Sequence, residues 1–245
     1  PSGDKSIVPT TWREIGVGIT GKFNEANLRY QAYIFNGFSS VNGEKLLGGE
    51  NGLRNGRQKG AEATINTPNV SAKIDYYGVQ GLRLGLSGYF GRTQATDDMD
   101  DVEGADVGVS MFGIDGRYIF KRFSARGQYI HSLISDADKY NDLYNADLGS
   151  ELRGWYLEAA YNLLPLDNEQ RLDAFLRFEH YNTHAAILDA NIIRNDSYNR
   201  KEWTTGLSYH IANGAVVKAD YQLFDNAIEG NDTKGQLNIG FGVWF

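Results

Sequence analysis

The chain contains no cysteine among its 245 residues. That excludes disulfides, thiolate metal sites and a cysteine nucleophile. It also fits passage through an oxidising compartment. Proline is scarce, at 4 residues, so long strands need not be broken. No window of about 18 consecutive apolar residues occurs, which excludes a transmembrane helix. The opening residues, PSGDKSIVPTTW, lack the apolar stretch of a signal peptide. The expectation is a mature, trimmed or incomplete chain. An excess of basic residues is also missing. The net charge is −7, so general nucleic-acid binding is not expected.

What is abundant is glycine, with 29 residues, and tyrosine, with 15. Apolar residues recur with period 2 almost everywhere, and period 3.6 almost nowhere. In LRLGLSGYF (82–90), Leu82, Leu84, Leu86 and Phe90 share one face, while Arg83, Ser87 and Tyr89 share the other. LDAFLRF (172–178), WYLEAAYNL (155–163), WTTGLSYHI (203–211) and VKADYQL (217–223) alternate likewise. Similar runs lie at 14–23, 28–38, 70–79, 107–120, 123–134 and 235–245. The pattern predicts about eleven strands, or twelve if AEATINT (61–67) is one. The polar stretch DADKYNDLYNADL (136–148) reads as a loop.

Connections alternate in length. Short ones are expected at 24–27, 80–81, 121–122, 165–170 and 213–215. Long ones are expected at 39–69, 92–106, 135–153, 182–200 and 225–234. Short turns at one end and long loops at the other are the pattern of an outer-membrane barrel. A mean hydropathy of −0.45 is compatible with this, because only half of each strand would face lipid.

A soluble sandwich or lipocalin-like barrel is the competing fold. Two features weigh against it. Aromatics sit at strand ends in the apolar register: Phe23, Tyr76, Phe90, Tyr118, Phe120, Phe123, Trp155, Trp203, Tyr209 and Phe245. They suit interfacial girdles. The opposite face is charged, and so many charges in a closed core would be prohibitive. A water-filled lumen accommodates them. The reading is a single outer-membrane domain over 1–245: an all-β, antiparallel transmembrane β-barrel. If the last strand ends in the periplasm, eleven strands make 14–23 run inward from outside. Single-chain bacterial barrels have even strand numbers. Amino-terminal strands of a larger barrel, of sixteen strands or so, are therefore expected to be absent.

The stretch IVPTTWREIGVGITGKFNEANLRYQAYIFNGF (7–38) resembles the phosphate-selective porin family. Its marks are the Arg13–Glu14 pair before a glycine-rich strand, a short turn, and a strand ending Phe35-Asn36-Gly37. The loop NGLRNGRQKGAEA (51–63) and the closing GQLNIGFGVWF add to the likeness. The resemblance implies a sixteen-stranded, trimeric porin in the outer membrane of a Gram-negative bacterium. It also implies passive diffusion of small hydrophilic solutes, with anion or phosphate preference. No cofactor and no enzymatic activity are implied. Membrane lipid, lipopolysaccharide and small anions would be its partners.

Candidate pore-lining cations are Arg29, Lys73, Arg83, Arg117, Arg126, Arg177 and Lys218. Guanidinium groups suit phosphate because they offer bidentate contacts. The plainer reading is a mixed lumen, in which Asp115, Asp173 or Glu179 neutralises neighbouring arginines. Arg54, Arg57 and Lys59, on the longest loop, form a candidate constriction or else a solvated basic loop. Phe241, Val243 and Phe245 in the last strand form a candidate assembly signal. The acidic stretch 96–106 lacks the spacing of a calcium loop. His180 and His184 have helical metal-ligand spacing on what reads as strand and loop. No Gly-x-Ser-x-Gly occurs, and a lipase-type barrel is disfavoured. The other functional class left open is a non-conducting barrel that scaffolds an envelope assembly.

Overall fold

Alternating side chains put the whole chain into one antiparallel sheet, apart from its long loops. The computed structural model describes residues 7–58, 60, 63–99, 101–188 and 192–243. Eleven long strands follow one another in sequence order, each paired to the next. They are β1 (Gly16–Phe23), β2 (Leu28–Phe35), β5 (Asn69–Tyr76), β6 (Leu82–Arg92), β7 (Gly108–Phe120), β8 (Phe123–Ser135), β9 (Glu151–Asn162), β10 (Arg171–Ala186), β11 (Asn199–Ala212), β12 (Ala215–Asn226) and β13 (Lys234–Val243). A two-residue hairpin, β3 (Val41–Asn42) and β4 (Lys45–Leu46), sits within the longest loop. A tilted strand of about 9–11 residues crosses a bilayer. At 11–16 residues, β6 to β12 are long enough to cross and to carry their loops beyond it.

Register fixes two faces. One carries Val17, Ile74, Leu86, Ile114, Leu157, Leu176, Leu207, Tyr221 and Ile239, all exposed. Leu86 is 60% and Ile239 75% accessible. An apolar surface running across every strand far exceeds the patches a water-soluble protein tolerates, and it matches the lipid band of a membrane barrel. The girdle aromatics from Phe23 to Tyr209 occupy this register too. Phe241 and Val243 lie on it at 69% and 58% accessibility. Phe245 lies outside the described residues. The other face carries most of the charges; the apolar register becomes charged only toward its long-loop end, as at Glu151, Arg153, Lys201 and Asp225.

Turn chemistry agrees with the alternation in loop length. The two-residue β7–β8 turn has Lys121 at φ 51°, and the β11–β12 turn has Gly214 at φ 94°, as tight hairpins require. Because eleven strands alternate in direction, β1 and β13 run the same way. They are the two ends of the sheet among the described residues.

Two sequence expectations are corrected. Residues 63–67 form no strand; residues 61 and 62 lie outside the described set, so AEATINT adds no twelfth strand that can be seen. Residues 137–144 form a helix, α1 (Ala137–Tyr144), rather than a loop. Its only apolar signal is Ala137, Tyr140, Leu143 and Tyr144. Packing supplies what the weak pattern lacks, since Ala137 and Tyr140 are buried. Asp136 enters the helix at φ 59° and Asn145 ends it at φ 52°, both in the left-handed region that Asp and Asn tolerate.

The hydrophobic core is not between two sheets. It sits on the polar face, at its long-loop end, where Val109, Met111, Ile130, Ile134 and Leu152 point inward. Residues 36–58 of the loop fold over them and bury Phe38, Leu47 and Leu53.

Candidate functional site

The strands bring all seven candidate pore-lining cations to one face. The register aligns Arg83 with Arg117, Arg117 with Arg126, Arg126 with Glu158, Glu158 with Arg177, and Arg177 with Thr204. Three arginines thus stand directly opposite one another on β6, β7 and β8. Like charges in such positions repel, so the surroundings must compensate them. Arg83 reaches Asp115 at 2.5 Å. Arg126 makes a two-pronged contact with Glu158 at 2.8 and 3.0 Å. Arg177 lies 3.5 Å from Glu158 and 2.8 Å from Glu179. Arg117 and Arg29 have no carboxylate within ion-pair distance among the described residues.

Lys73 on β5 bonds Asp115 on β7, passing over β6. Gly85 makes this crossing possible. A side chain there would begin 2.3 Å from Asp115 Oδ2 and 2.9 Å from Lys73 Cε. Farther round, Lys218 lies 3.7 Å from Asp220 and 4.5 Å above the Phe175 ring. Arg171 Nε donates to Asp173 at 2.7 Å, with His210 Nε2 3.6 Å from that carboxylate. Arg171 shares a face with Asp173 through i, i+2 spacing on one strand, whereas His210 joins only through the strand register that sets it opposite Arg171. These groups surround a water-facing cavity of about 630 Å³. It holds Lys73, Arg83, Arg117, Arg126, Arg171 and Lys218 against Asp115, Glu158 and Asp173, so fixed cations outnumber carboxylates.

The loop cations sit elsewhere. Arg57 donates to the Thr10 carbonyl, and to Thr11 Oγ1 at 2.7 Å. Desolvation and the neighbouring Arg54 lower its pKa. Arg54 reaches Thr10 Oγ1 at 3.4 Å and lines a separate cavity of about 550 Å³ with Glu50, Arg200 and Lys234. Lys59 lies outside the described residues. The loop itself crosses the polar face. Tyr140 Oη of α1 donates to the Ser40 carbonyl at 2.6 Å and accepts from the Leu47 amide at 3.1 Å. Thr183 Oγ1 of β10 donates to the Gly49 carbonyl at 2.7 Å. Gly48 (φ 120°) approaches so closely that a Cβ would sit 2.8 Å from the Leu148 amide. Sequence reasoning missed this latch, because Tyr140 lies in a stretch with no strand pattern.

Two carboxylates of the acidic stretch and both candidate metal histidines have structural partners. Asp106 holds Arg92 at 2.6 Å, and Glu103 holds Lys139 at 2.7 Å. Arg92 also bonds Asp136 at 3.0 Å, which keeps that carboxyl below its ordinary range. Asp100 lies outside the described residues. His180 bonds Asn199 Oδ1 at 2.7 Å, while His184 bonds the Asp147 carbonyl at 2.5 Å. No group of three or more metal-ligating side chains occurs among the described residues.

No protein-family model matches the chain. A porin whose structure is refined at 1.8 Å aligns with 94% of this chain and 62% of its own, at TM-score 0.50 and 10% identity. The likeness is one of fold. Salmonella typhi OmpF, in a complex with daunomycin, aligns with 89% of this chain and 56% of its own, at TM-score 0.50 and 14% identity. Together with the two-faced sheet, these place the eleven strands in the wall of a transmembrane β-barrel. An uncharacterized protein of Aquifex aeolicus (strain VF5) is 28% identical over 232 residues, which cover 90% of this chain and 51% of that protein. The chain spans about half the length of this curated relative.

Proposed function

We propose that the protein is an outer-membrane porin through which small hydrophilic solutes diffuse passively, with a preference for anions such as phosphate. The observation that carries this reading is the row Arg83–Arg117–Arg126 on the water-facing side of a lipid-compatible sheet. Ion selectivity in pores comes from such lines of charged side chains. A partly dehydrated anion needs fixed cations, and Arg117 is the one in the row with no carboxylate partner among the described residues. Arg29, Lys73, Arg177 and Lys218 extend the positive wall, with carboxylates limiting its strength. Arg54, with Lys59 nearby in sequence, lies at the outer mouth, and Arg57 ties the loop to the segment before β1. The resemblance to phosphate-selective porins supports the same reading.

In this proposal the eleven strands form one barrel domain that is part of a larger closed wall. β1 and β13 are co-directional, so a wholly antiparallel closure takes an odd number of further strands. The barrel would sit in the outer membrane of a Gram-negative bacterium as a homotrimer, with lipopolysaccharide at its rim. The carboxy-terminal Phe241, Val243 and Phe245 would serve as the signal for assembly.

Planar-bilayer recording tests it. A porin gives discrete open steps, with a reversal potential of anionic sign in a salt gradient. A cationic sign would remove the anion assignment. One observation favours a second reading, a non-conducting barrel in an envelope assembly: residues 36–58 of the loop and their buried cluster occupy the long-loop end of the polar face. Folded protein without open steps would establish that alternative.

A further inference from the structure

We infer that the pore wall carries a second, aromatic subsite beside the arginine row, and that the two together take a ring-bearing organic anion. This rests on the porin reading above. A cavity of about 660 Å³ opens on the polar face beneath residues 7–15. Its floor exists because small residues stand between large ones. Ser71 lies opposite Tyr33 and Tyr89, and Ser87 lies opposite Lys73 and Gly113. A methyl group on Gly113 would come within 2.6 Å of Ser87 Oγ.

The roof is Trp12. It stacks on Phe38 with centroids 4.3 Å apart and leans on Tyr89 at 5.3 Å. Its indole N–H donates to Glu14, so the ring is fixed from both sides. Trp12, Tyr33, Tyr89 and Met111 make one end apolar, while Lys73 and Gln128 stand at the other. Lys73 and Gln128 also line the cavity that holds Arg83, Arg117 and Arg126. The two cavities therefore meet at these side chains.

The chemistry follows from that junction. Pockets of about 300–1,000 Å³ with apolar walls and a few placed polar groups hold small organic ligands. A ring fits against Trp12, Tyr33 and Tyr89, with its anionic group directed past Lys73 toward Arg117. Inorganic phosphate can use only the row, and a neutral ring only the aromatic end. A ring-bearing anion uses both.

The test compares block of chloride current in planar bilayers by phenyl phosphate, inorganic phosphate and benzyl alcohol. Phenyl phosphate is expected to block at a concentration about ten-fold lower than inorganic phosphate, the increment of one good aromatic contact. Benzyl alcohol is expected to block more weakly than phenyl phosphate. Tyr33→Ala should bring the ratio of the two phosphates to about one, and Tyr33→Phe should keep it. Arg117→Ala should weaken both phosphates together. Equal block by the two phosphates in the unaltered protein overturns the proposal. So does a ratio that survives Tyr33→Ala, or benzyl alcohol that blocks as strongly as phenyl phosphate. If no open steps appear, the porin reading fails instead. Calorimetric titration of the folded protein in detergent with the two phosphates then tests the aromatic subsite by itself, and equal affinities overturn it.

Discussion

Removing one oxygen atom from Tyr140 should release the inward loop. Tyr140 is fully buried, and its hydroxyl joins the Ser40 carbonyl to the Leu47 amide at 2.6 and 3.1 Å. Tyr140→Phe keeps the ring and its packing on Tyr144, whose centroid is 4.8 Å away. It leaves one buried acceptor and one buried donor without a partner while the loop stays docked. Each such group costs roughly 1–3 kcal/mol, so about 2–6 kcal/mol together. At about 1.4 kcal/mol per factor of ten, the undocked population rises roughly 30- to 20,000-fold. Lys45 is already exposed and Arg54 half-buried, but a protease needs a free, extended backbone; undocking supplies it, so trypsin cleavage within 36–58 should accelerate by that factor in reconstituted vesicles. Open-channel current should also become noisier. Tyr144→Phe, which deletes a hydroxyl with no such bridge, should behave nearly as the unaltered protein. A cleavage rate for Tyr140→Phe within about two-fold of that control would refute the latch.

Other outcomes follow from the same geometry. Arg117→Glu should move the reversal potential in a salt gradient toward cation preference, since it replaces with an anion the cation of the row that has no carboxylate partner among the described residues; an unchanged potential would remove Arg117 from the conduction path. Burial raises the Glu14 carboxyl from 4.5 to about 7. The docked amino-terminal segment therefore keeps a proton that a released segment has lost. Docking is strongest below about pH 4.5, weakens as pH rises toward 7, and leaves a negative charge at the aromatic cavity above that. Block by phenyl phosphate should weaken between about pH 6 and 8, and Glu14→Gln should flatten the profile. Leu86→Arg places a charge on the apolar face, and folding into bilayers should lose about 2–4 kcal/mol if that position lies near the midplane. Equilibrium unfolding in lipid vesicles measures it, and a change below about 0.5 kcal/mol would contradict the lipid-facing assignment.

The strands were legible because one periodicity sufficed. In β6 and β10 the alternation of Leu and Phe with Arg, Asp and Ser sets strand, face and register parity at once. The seven cations follow from parity alone, which is why they share a face. Their cross-strand partners do not follow, although the i, i+2 pairs Arg177–Glu179 and Lys218–Asp220 do. Whether Arg83 meets Asp115 depends on which residues pair across strands and on the absence of a side chain at Gly85. The long-loop end was least legible. There Val109, Met111, Ile130 and Ile134 are apolar on the face that is charged farther down, because a loop from elsewhere in the chain covers them. Helix α1 was hidden for the same reason. Tyr140 has its role through contacts with Ser40 and Leu47, about a hundred residues away, and no local pattern reports these.

The central claim is that the polar face lines a water path while the apolar face meets lipid. The chain has no cysteine, so single cysteines can be introduced without background. Neighbouring pairs on β8 and β11 give the sharpest contrast: Ser124 and Ala125, Gln128 and Tyr129, Ser208 and Leu207. In reconstituted membranes a charged, water-soluble thiol reagent should modify positions 124, 128 and 208 and spare 125, 129 and 207. A lipid-phase quencher should show the reverse order. Equal modification within each pair, or an inverted pattern, would contradict the account.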